Sequence, residues 1–264
     1  MKTIAFFNQK GGVGKTSITA NIAGCMCYGY KKKVLVVDCD GQGNISTYLL
    51  TGTQERTKLN LTDYFKEPSV RAEEMINHVY IQRKNMFNQI NIDVLPIDSR
   101  VQSVNISDVT LLKKLLVQVQ DEYDYCLLDC PPHLSSVAIN ALCAADYVVV
   151  PAQADDDSLG GYGMLVDSVN QIRQSGYNVG VEIVGILLNE LSQAAAFDKY
   201  IHALFKQGFN KLLFKTYIRP SSYVKQARHF GMPLCYFRPK AGITEDYMDV
   251  TRELINRVTI KSRS

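Results

Sequence analysis

Short apolar runs rich in β-branched residues recur along the chain, separated by longer stretches in which apolar positions return every three or four residues. The first pattern predicts buried strands over residues 3–7, 34–37, 90–95, 125–128, 147–151, 181–188 and 213–216. The second predicts helices over 16–28, 111–119, 135–143, 159–174, 195–206 and 245–258. Alternation of this kind argues for an α/β fold, a single doubly wound, mostly parallel sheet with helices on both faces, spanning residues 1–264 as one domain. Residues 51–89 show no clear period, and short helices are expected there.

Between the first strand and the first helix lies Lys10-Gly11-Gly12-Val13-Gly14-Lys15-Thr16, followed by Ser17. A glycine-rich turn in this position lets backbone N–H groups and a helix N-terminus wrap phosphate oxygens. Glycines are required because the chain must approach the anion closely, in dihedrals a Cβ would forbid. In such a loop Lys15 neutralises the β- and γ-phosphates of a nucleotide and the Thr16 hydroxyl ligates Mg2+. The second strand ends in Asp38-Cys39-Asp40-Gly41-Gln42-Gly43-Asn44, two carboxylates at the strand end where ligands bind in open α/β sheets. Carboxylates there can hold a magnesium shell and orient a water for in-line attack on the γ-phosphate. Another apolar strand ends in Leu128-Asp129-Cys130-Pro131-Pro132, with His133 next, for which a surface or switch-loop role and a catalytic role both stand.

These three blocks resemble the deviant Walker ATPases, the family that includes the partition proteins ParA and Soj and the division-site protein MinD. The family signature Lys-Gly-Gly-x-Gly-Lys-Ser/Thr is matched in full by residues 10–16. The resemblance implies an Mg2+-dependent ATPase that binds ATP and ADP and dimerises around ATP, with Lys10 reaching the partner's nucleotide. It also implies that Asp40 positions the water, Asp38 supports the magnesium side and Asp129 meets Mg2+ through water. Gly41 stands where the family usually has proline, which loosens a switch segment. Pro151-Ala152-Gln153 matches the strand end before the family's dimer-facing segment, whereas residues 154–161 depart from the usual run. Asn189 and Pro220 fall where these ATPases contact the base, which makes them adenine-pocket candidates.

Charge separates the members of the family. The chain carries +3 overall, but residues 199–240 hold nine basic residues and no Asp or Glu, leaving −6 for the remainder. A basic block on an acidic body predicts an anionic partner. In the ParA/Soj branch, basic residues of the C-terminal half bind DNA without sequence preference, and the resemblance puts Lys199, Arg219, Lys225 and Arg228 in that role. It further implies a ParB-like, centromere-binding partner that stimulates hydrolysis, with cytoplasmic, nucleoid-associated work in plasmid or chromosome segregation. The MinD alternative requires a membrane-binding amphipathic tail. Tyr247, Thr251, Leu254 and Val258 instead form one stripe that predicts a core-packed last helix, so membrane binding is not expected.

Composition excludes other classes. With 46% hydrophobic and 21% charged residues, the chain has material for a core and is neither disordered nor collagen-like. No apolar run approaches the roughly 18 residues needed to span a bilayer, and the N-terminus carries no signal-type segment. Seven cysteines, an odd number with no Cys-x-x-Cys spacing, read as reduced, buried thiols, and four scattered histidines argue against a structural metal. Nitrogenase-reductase-like carriers need two cluster cysteines in downstream loops, which Cys130 does not match. The first strand begins at residue 3, so no N-terminal helix-turn-helix domain is expected.

Overall fold

The computed structural model describes residues 1–83 and 86–261, with the side chains at 83, 86, 87, 156, 157 and 159–162 outside the description. The elements follow as β1 (Lys2–Phe6), α1 (Lys15–Tyr30), β2 (Val34–Asp38), α2 (Asn44–Leu49), α3 (Leu61–Lys66), β3 (Asn77–Arg83), β4 (Met86–Leu95) and α4 (Leu111–Val117). Then come β5 (Tyr125–Asp129), α5 (Ser136–Ala144), β6 (Tyr147–Gln153), α6 (Asp156–Gln174), β7 (Glu182–Asn189), α7 (Ala196–Phe209), α8 (Ser222–His229), α9 (Leu234–Phe237) and α10 (Gly242–Lys261).

Among the described residues the strands form one sheet in the order β3-β4-β2-β5-β1-β6-β7, parallel throughout except for β3. The central strands are apolar on both faces because helices cover both. Ile4 and Phe6 of β1 face the layer built from α1, α2, α9 and α10, while Ala5 and Phe7 face the layer of α3 to α7. Tyr247, Val250, Leu254 and Val258 of α10 are buried in the first of these layers, as the stripe predicts. Among the described residues no helix is long and apolar enough to cross a membrane. Arg263, a basic residue near the C-terminal end of the sequence, lies outside the described residues.

The predicted strands at 3–7, 34–37, 90–95, 125–128, 147–151 and 181–188 all form, within a few residues of their expected ends. Residues 213–216 do not form a strand. Leu213 makes one isolated bridge to Ile186, whose carbonyl accepts the Phe214 N–H, and the following N–H groups, of Lys215 and Thr216, turn to the Glu253 carboxylate. Residues 51–89 hold the expected short helix α3 and a 3-10 turn, Ala72–Glu74, but also the edge strand β3. That strand pairs antiparallel with β4, and buried Asp93 of β4 lies 2.6 Å from His78 Nδ1 while accepting the Tyr123 hydroxyl at 2.8 Å.

Helix α1 touches α9 through a glycine. A Cβ on Gly24 would stand 2.3 Å from Pro233 Cβ and 3.1 Å from Cys235 Sγ, so the residue is a close-approach point. Alanine is expected to gain ~1 kcal/mol of helix propensity but to lose more by overpacking. With an overpacking cost of ~2–3 kcal/mol, the net loss expected for Gly24→Ala is ~1–2 kcal/mol, read as a lower urea midpoint with an unchanged slope.

Candidate nucleotide site

The sheet order brings three chain-distant strand ends together. β5 lies between β1 and β2, so the loop after β1, the carboxylates at the end of β2 and Asp129 of β5 converge at the C-terminal ends of these central strands. Residues 10–14 form the loop, with Gly12 and Gly14 at φ 78° and 91°, and α1 starts at Lys15. Gly14 is needed twice, for its left-handed backbone and because a Cβ there would meet Asn189 Nδ2 at 2.3 Å. Asn189, at the end of β7, donates that amide to the Val13 carbonyl at 3.0 Å and so braces the loop from beneath.

Lys15 is only 8% exposed, and its ammonium donates to the carbonyls of Asn8 at 2.8 Å and Lys10 at 3.1 Å. Burial pulls it below the usual lysine range, against the attraction of Asp129 and Asp40. Thr16 Oγ1 donates to Asp129 Oδ2 at 2.8 Å, leaving Oδ1 of that carboxylate buried with no hydrogen-bond partner. Burial, then the neighbouring Asp38, pushes Asp129 up to about 8. Burial likewise raises Asp38 to about 7, although its carboxylate accepts the Ser46 N–H and hydroxyl and the Asp40 N–H. Asp38 thus faces inward, fixing the start of α2 and the turn that carries Asp40, while Asp40 Oδ1 accepts the Gln42 N–H at 3.0 Å.

A cleft of about 500 Å3 opens beside this cluster, lined by Gly11, Gly12, Gly14, Lys15, Thr16, Ser17 and Asp40, and across from them by Glu190, Ser221, Val224, Lys225 and Arg228. The site fits a nucleotide with magnesium on two grounds. Its glycine loop opens onto the cleft ahead of a helix N-terminus, and the orphaned Asp129 oxygen stands beside a hydroxyl of the right kind for a hard cation.

Some expected site residues sit elsewhere. Pro220 is exposed, and its neighbour Ser221 lines the cleft. Arg219, expected on the basic surface, is exposed, and its guanidinium grips Asp246 in two contacts of 2.6 and 2.7 Å, fastening the 217–221 loop to α10. Lys199, on α7, lies in the opposite helical layer from α8, which carries Lys225 and Arg228. Arg228 reaches Asn44 at the start of α2. His133 is exposed in the loop after β5. Gly41 has a steric reason, since a Cβ there would lie 2.9 Å from Val101 Cγ1 of the neighbouring 3-10 turn, Ser99–Ser103. Lys10 pairs with Asp155 at 2.6 Å, and against the upward pull of partial burial the bonds from Lys10 and Ser158 hold Asp155 below the ordinary aspartate value. Of the departing segment 154–161, the side chains at 156, 157 and 159–161 lie outside the described residues. Ser46, Asp155 and Glu190 carried no separate signal in the sequence, because each acts through a neighbour that only the fold supplies.

A family model described as an AAA domain matches residues 1–183. Full-length relatives extend the match: the sporulation initiation inhibitor protein Soj of Bacillus subtilis is 30% identical, over 96% of this chain and 98% of its own. The chromosome partitioning protein ParA of Caulobacter vibrioides is 30% identical, over 97% of this chain and 95% of its own. The chain belongs to the ParA/Soj/MinD family of ATPases. Solved structures agree on the fold: apo McdA of Cyanothece superposes with a TM-score of 0.78 at 23% identity, covering 96% of this chain and 99% of that one. MinD of Pyrococcus furiosus gives 0.73 at 21%, covering 97% and 98%. At these identities the structures bear on the fold alone.

Asp129 gives a pH test. Its unfolded value of 3.8 rises to about 8 on folding, so the stability held by its protonated form is complete below about pH 4 and is lost as pH rises through about 8. Asp129→Asn is expected to stabilise the metal-free protein at about pH 8, by on the order of 3 kcal/mol, and to lose that advantage towards pH 4. Urea midpoints in EDTA across this range read the difference.

Proposed function

We propose that this chain is a ParA/Soj-like partition ATPase, acting as one phosphate-loop domain over residues 1–264. In this reading it dimerises around ATP, binds duplex DNA non-specifically in that state and releases it on hydrolysis. The observation that carries the reading is the convergence of Lys15, Thr16 and Asp40 on one cleft, with the half-satisfied Asp129 buried directly behind Thr16. Lys15 and the N–H groups of residues 11–17 bind the phosphates, while Thr16 and Asp129 hold Mg2+. Magnesium, when bound, offsets negative charge on the phosphate oxygens. Asp40, held by the Asp38 to Ser46 bonds, orients the attacking water. Asn189 keeps the loop at the height the nucleotide needs, and Glu190 and Ser221 border the base end of the cleft.

Lys10 is the cross-subunit group, exchanging Asp155 for the phosphates of the other protomer. Lys225 and Arg228 are the DNA contacts that the geometry favours, exposed on a helix that also borders the nucleotide cleft, so the state of the cleft reaches them directly. Relatives named as partition proteins support segregation as the role and a ParB-like stimulating partner, in the nucleoid region of the cytoplasm.

Lys15→Ala is expected to abolish nucleotide binding, and Asp40→Ala to bind ATP and dimerise with turnover lost, read by nucleotide titration, light scattering and phosphate release. Lys10→Ala is expected to keep ATP affinity and lose the dimer, and a stable ATP dimer in that variant refutes the exchange. The deciding experiment titrates Asp40→Ala against duplex DNA and against anionic vesicles, with ATP and with ADP, over a salt series. ATP-dependent DNA binding, with a log–log salt slope that drops by about one for each of Lys225→Ala and Arg228→Ala, supports the reading. Binding to vesicles alone overturns it in favour of a MinD-like positioning role.

A further inference from the structure

Helix α8 is almost wholly exposed, with Ala227 its one buried residue. One side, carrying Val224, Lys225 and Arg228, borders the nucleotide cleft. Away from the cleft, Tyr223 of α8 begins a row of flat groups that runs on through Arg238 and Phe237 at the end of α9 to Phe230, the residue after α8. Arg238 Cζ lies 5.6 Å from the centre of the Tyr223 ring and 5.1 Å from that of Phe237. Phe237 in turn stacks on Phe230, centroids 5.5 Å apart and planes 23° from parallel, and His229 meets Phe230 edge-on at 5.2 Å. Gly231 fixes the end of the row: at φ 64° it turns the chain sharply after Phe230, with its Cα so close to Thr51 that a Cβ would stand 2.4 Å from Thr51 Cβ.

Phe230 is 56% exposed and Tyr223 38%, so two aromatic rings of a stacked row face water. Nothing in the nucleotide cleft uses them. Their setting is cationic: Lys225, Arg228, Arg238 and Lys240 surround them in sequence, within the 42 residues that contain no carboxylate side chain. Exposed rings interleaved with cations call for a polyanion that has flat apolar faces of its own to offer. Duplex DNA keeps its base faces stacked inside, and an anionic bilayer offers charge without rings. Single-stranded nucleic acid offers both, and stacking of one base on one aromatic side chain is worth ~1–3 kcal/mol.

We infer that the Tyr223–Arg238–Phe237–Phe230 face binds single-stranded nucleic acid, with unpaired bases stacking on Phe230 and Tyr223 and the phosphates lying along Arg238 and Lys240. The inference deepens the nucleic-acid part of the reading above and rests on it only for nucleic acid as the polyanion. It needs neither ATP nor the dimer. Tyr223 shares the two-turn helix α8 with the cleft residues Lys225 and Arg228, so that helix joins the stacking face to the cleft.

The test uses the full chain without nucleotide and a fluorescein-labelled oligothymidylate about twenty nucleotides long, read by anisotropy. Wild type is expected to bind it. Phe230→Ala and Tyr223→Ala are each expected to weaken binding ~10-fold, and Phe230→Tyr to restore it, with thermal midpoint and ATP affinity unchanged in all three. ATP-dependent duplex binding of Asp40→Ala is expected to be indifferent to an added Phe230→Ala. Three results overturn the proposal: no binding of the oligonucleotide by wild type, equal binding by wild type and Phe230→Ala, or an equal loss of duplex and single-strand binding in Phe230→Ala. Failure of the partition reading shows instead in the ATP arms, which the nucleotide-free titration does not touch.

Discussion

Pairing of β2 with β5 sets Asp38 directly opposite Asp129, two fully buried carboxyl groups side by side at the end of the sheet. That juxtaposition is costly, and much of the cleft answers to it. Ser46 and the Asp40 N–H absorb the charge of Asp38, which anchors the segment carrying Asp40. Thr16 satisfies half of Asp129, and Lys15 attracts it from within the same cluster. The remaining oxygen has no donor among the described residues, an unbalanced polar atom of the kind that a hard cation relieves. A site built this way spends folding stability on a group whose compensation comes from its ligand, a common arrangement where function and stability compete.

Much of this was legible in the sequence because it is local. A lysine after three closely spaced glycines, at a strand-to-helix turn, has few structural uses besides an anion, and Asp38, Asp40 and Asp129 each end an apolar run. The central strands were readable for the same reason: buried on both faces, they are continuous apolar segments. What escaped notice lacks such a pattern. β3 is an edge strand of mixed polarity, His78, Tyr80 and Gln82 among its residues, and α8 buries only Ala227. Residues 213–216 carry the composition of a strand, yet tertiary contact with Glu253 takes two of their N–H groups. The basic block was visible as a count. Its division was not, since only the fold shows Arg219 held by Asp246 and Lys199 in the other helical layer from Arg228.

The short connections around α8 give the molecule its functional asymmetry. Arg228 touches Asn44, the first residue of α2, whose Ser46 holds Asp38. Two direct contacts thus link the buried Asp38, through α2, to the exposed basic helix. The last helix lies outside that path: it is locked to α1 by Tyr247, Val250 and Leu254 and to the preceding loop by Arg219. Helices α1 and α10 thus form a packed frame, against which α2 and α8 meet through Arg228 and Asn44.

The position of β1 has a consequence for the order of assembly. Its neighbours in the sheet are β5 and β6, so Lys2 must wait for Tyr125 and Ile4 for Tyr147 before the centre of the sheet exists. The brace beneath the loop comes later still, from Asn189, and the helices that seal α1 come last of all. During synthesis the first strand leaves the ribosome early and has no native strand to pair with until about half of the chain has followed. The phosphate-binding loop is written first in the sequence and finished near the end of folding, so a truncated chain lacks a usable site even when every residue that would touch the phosphates is already present.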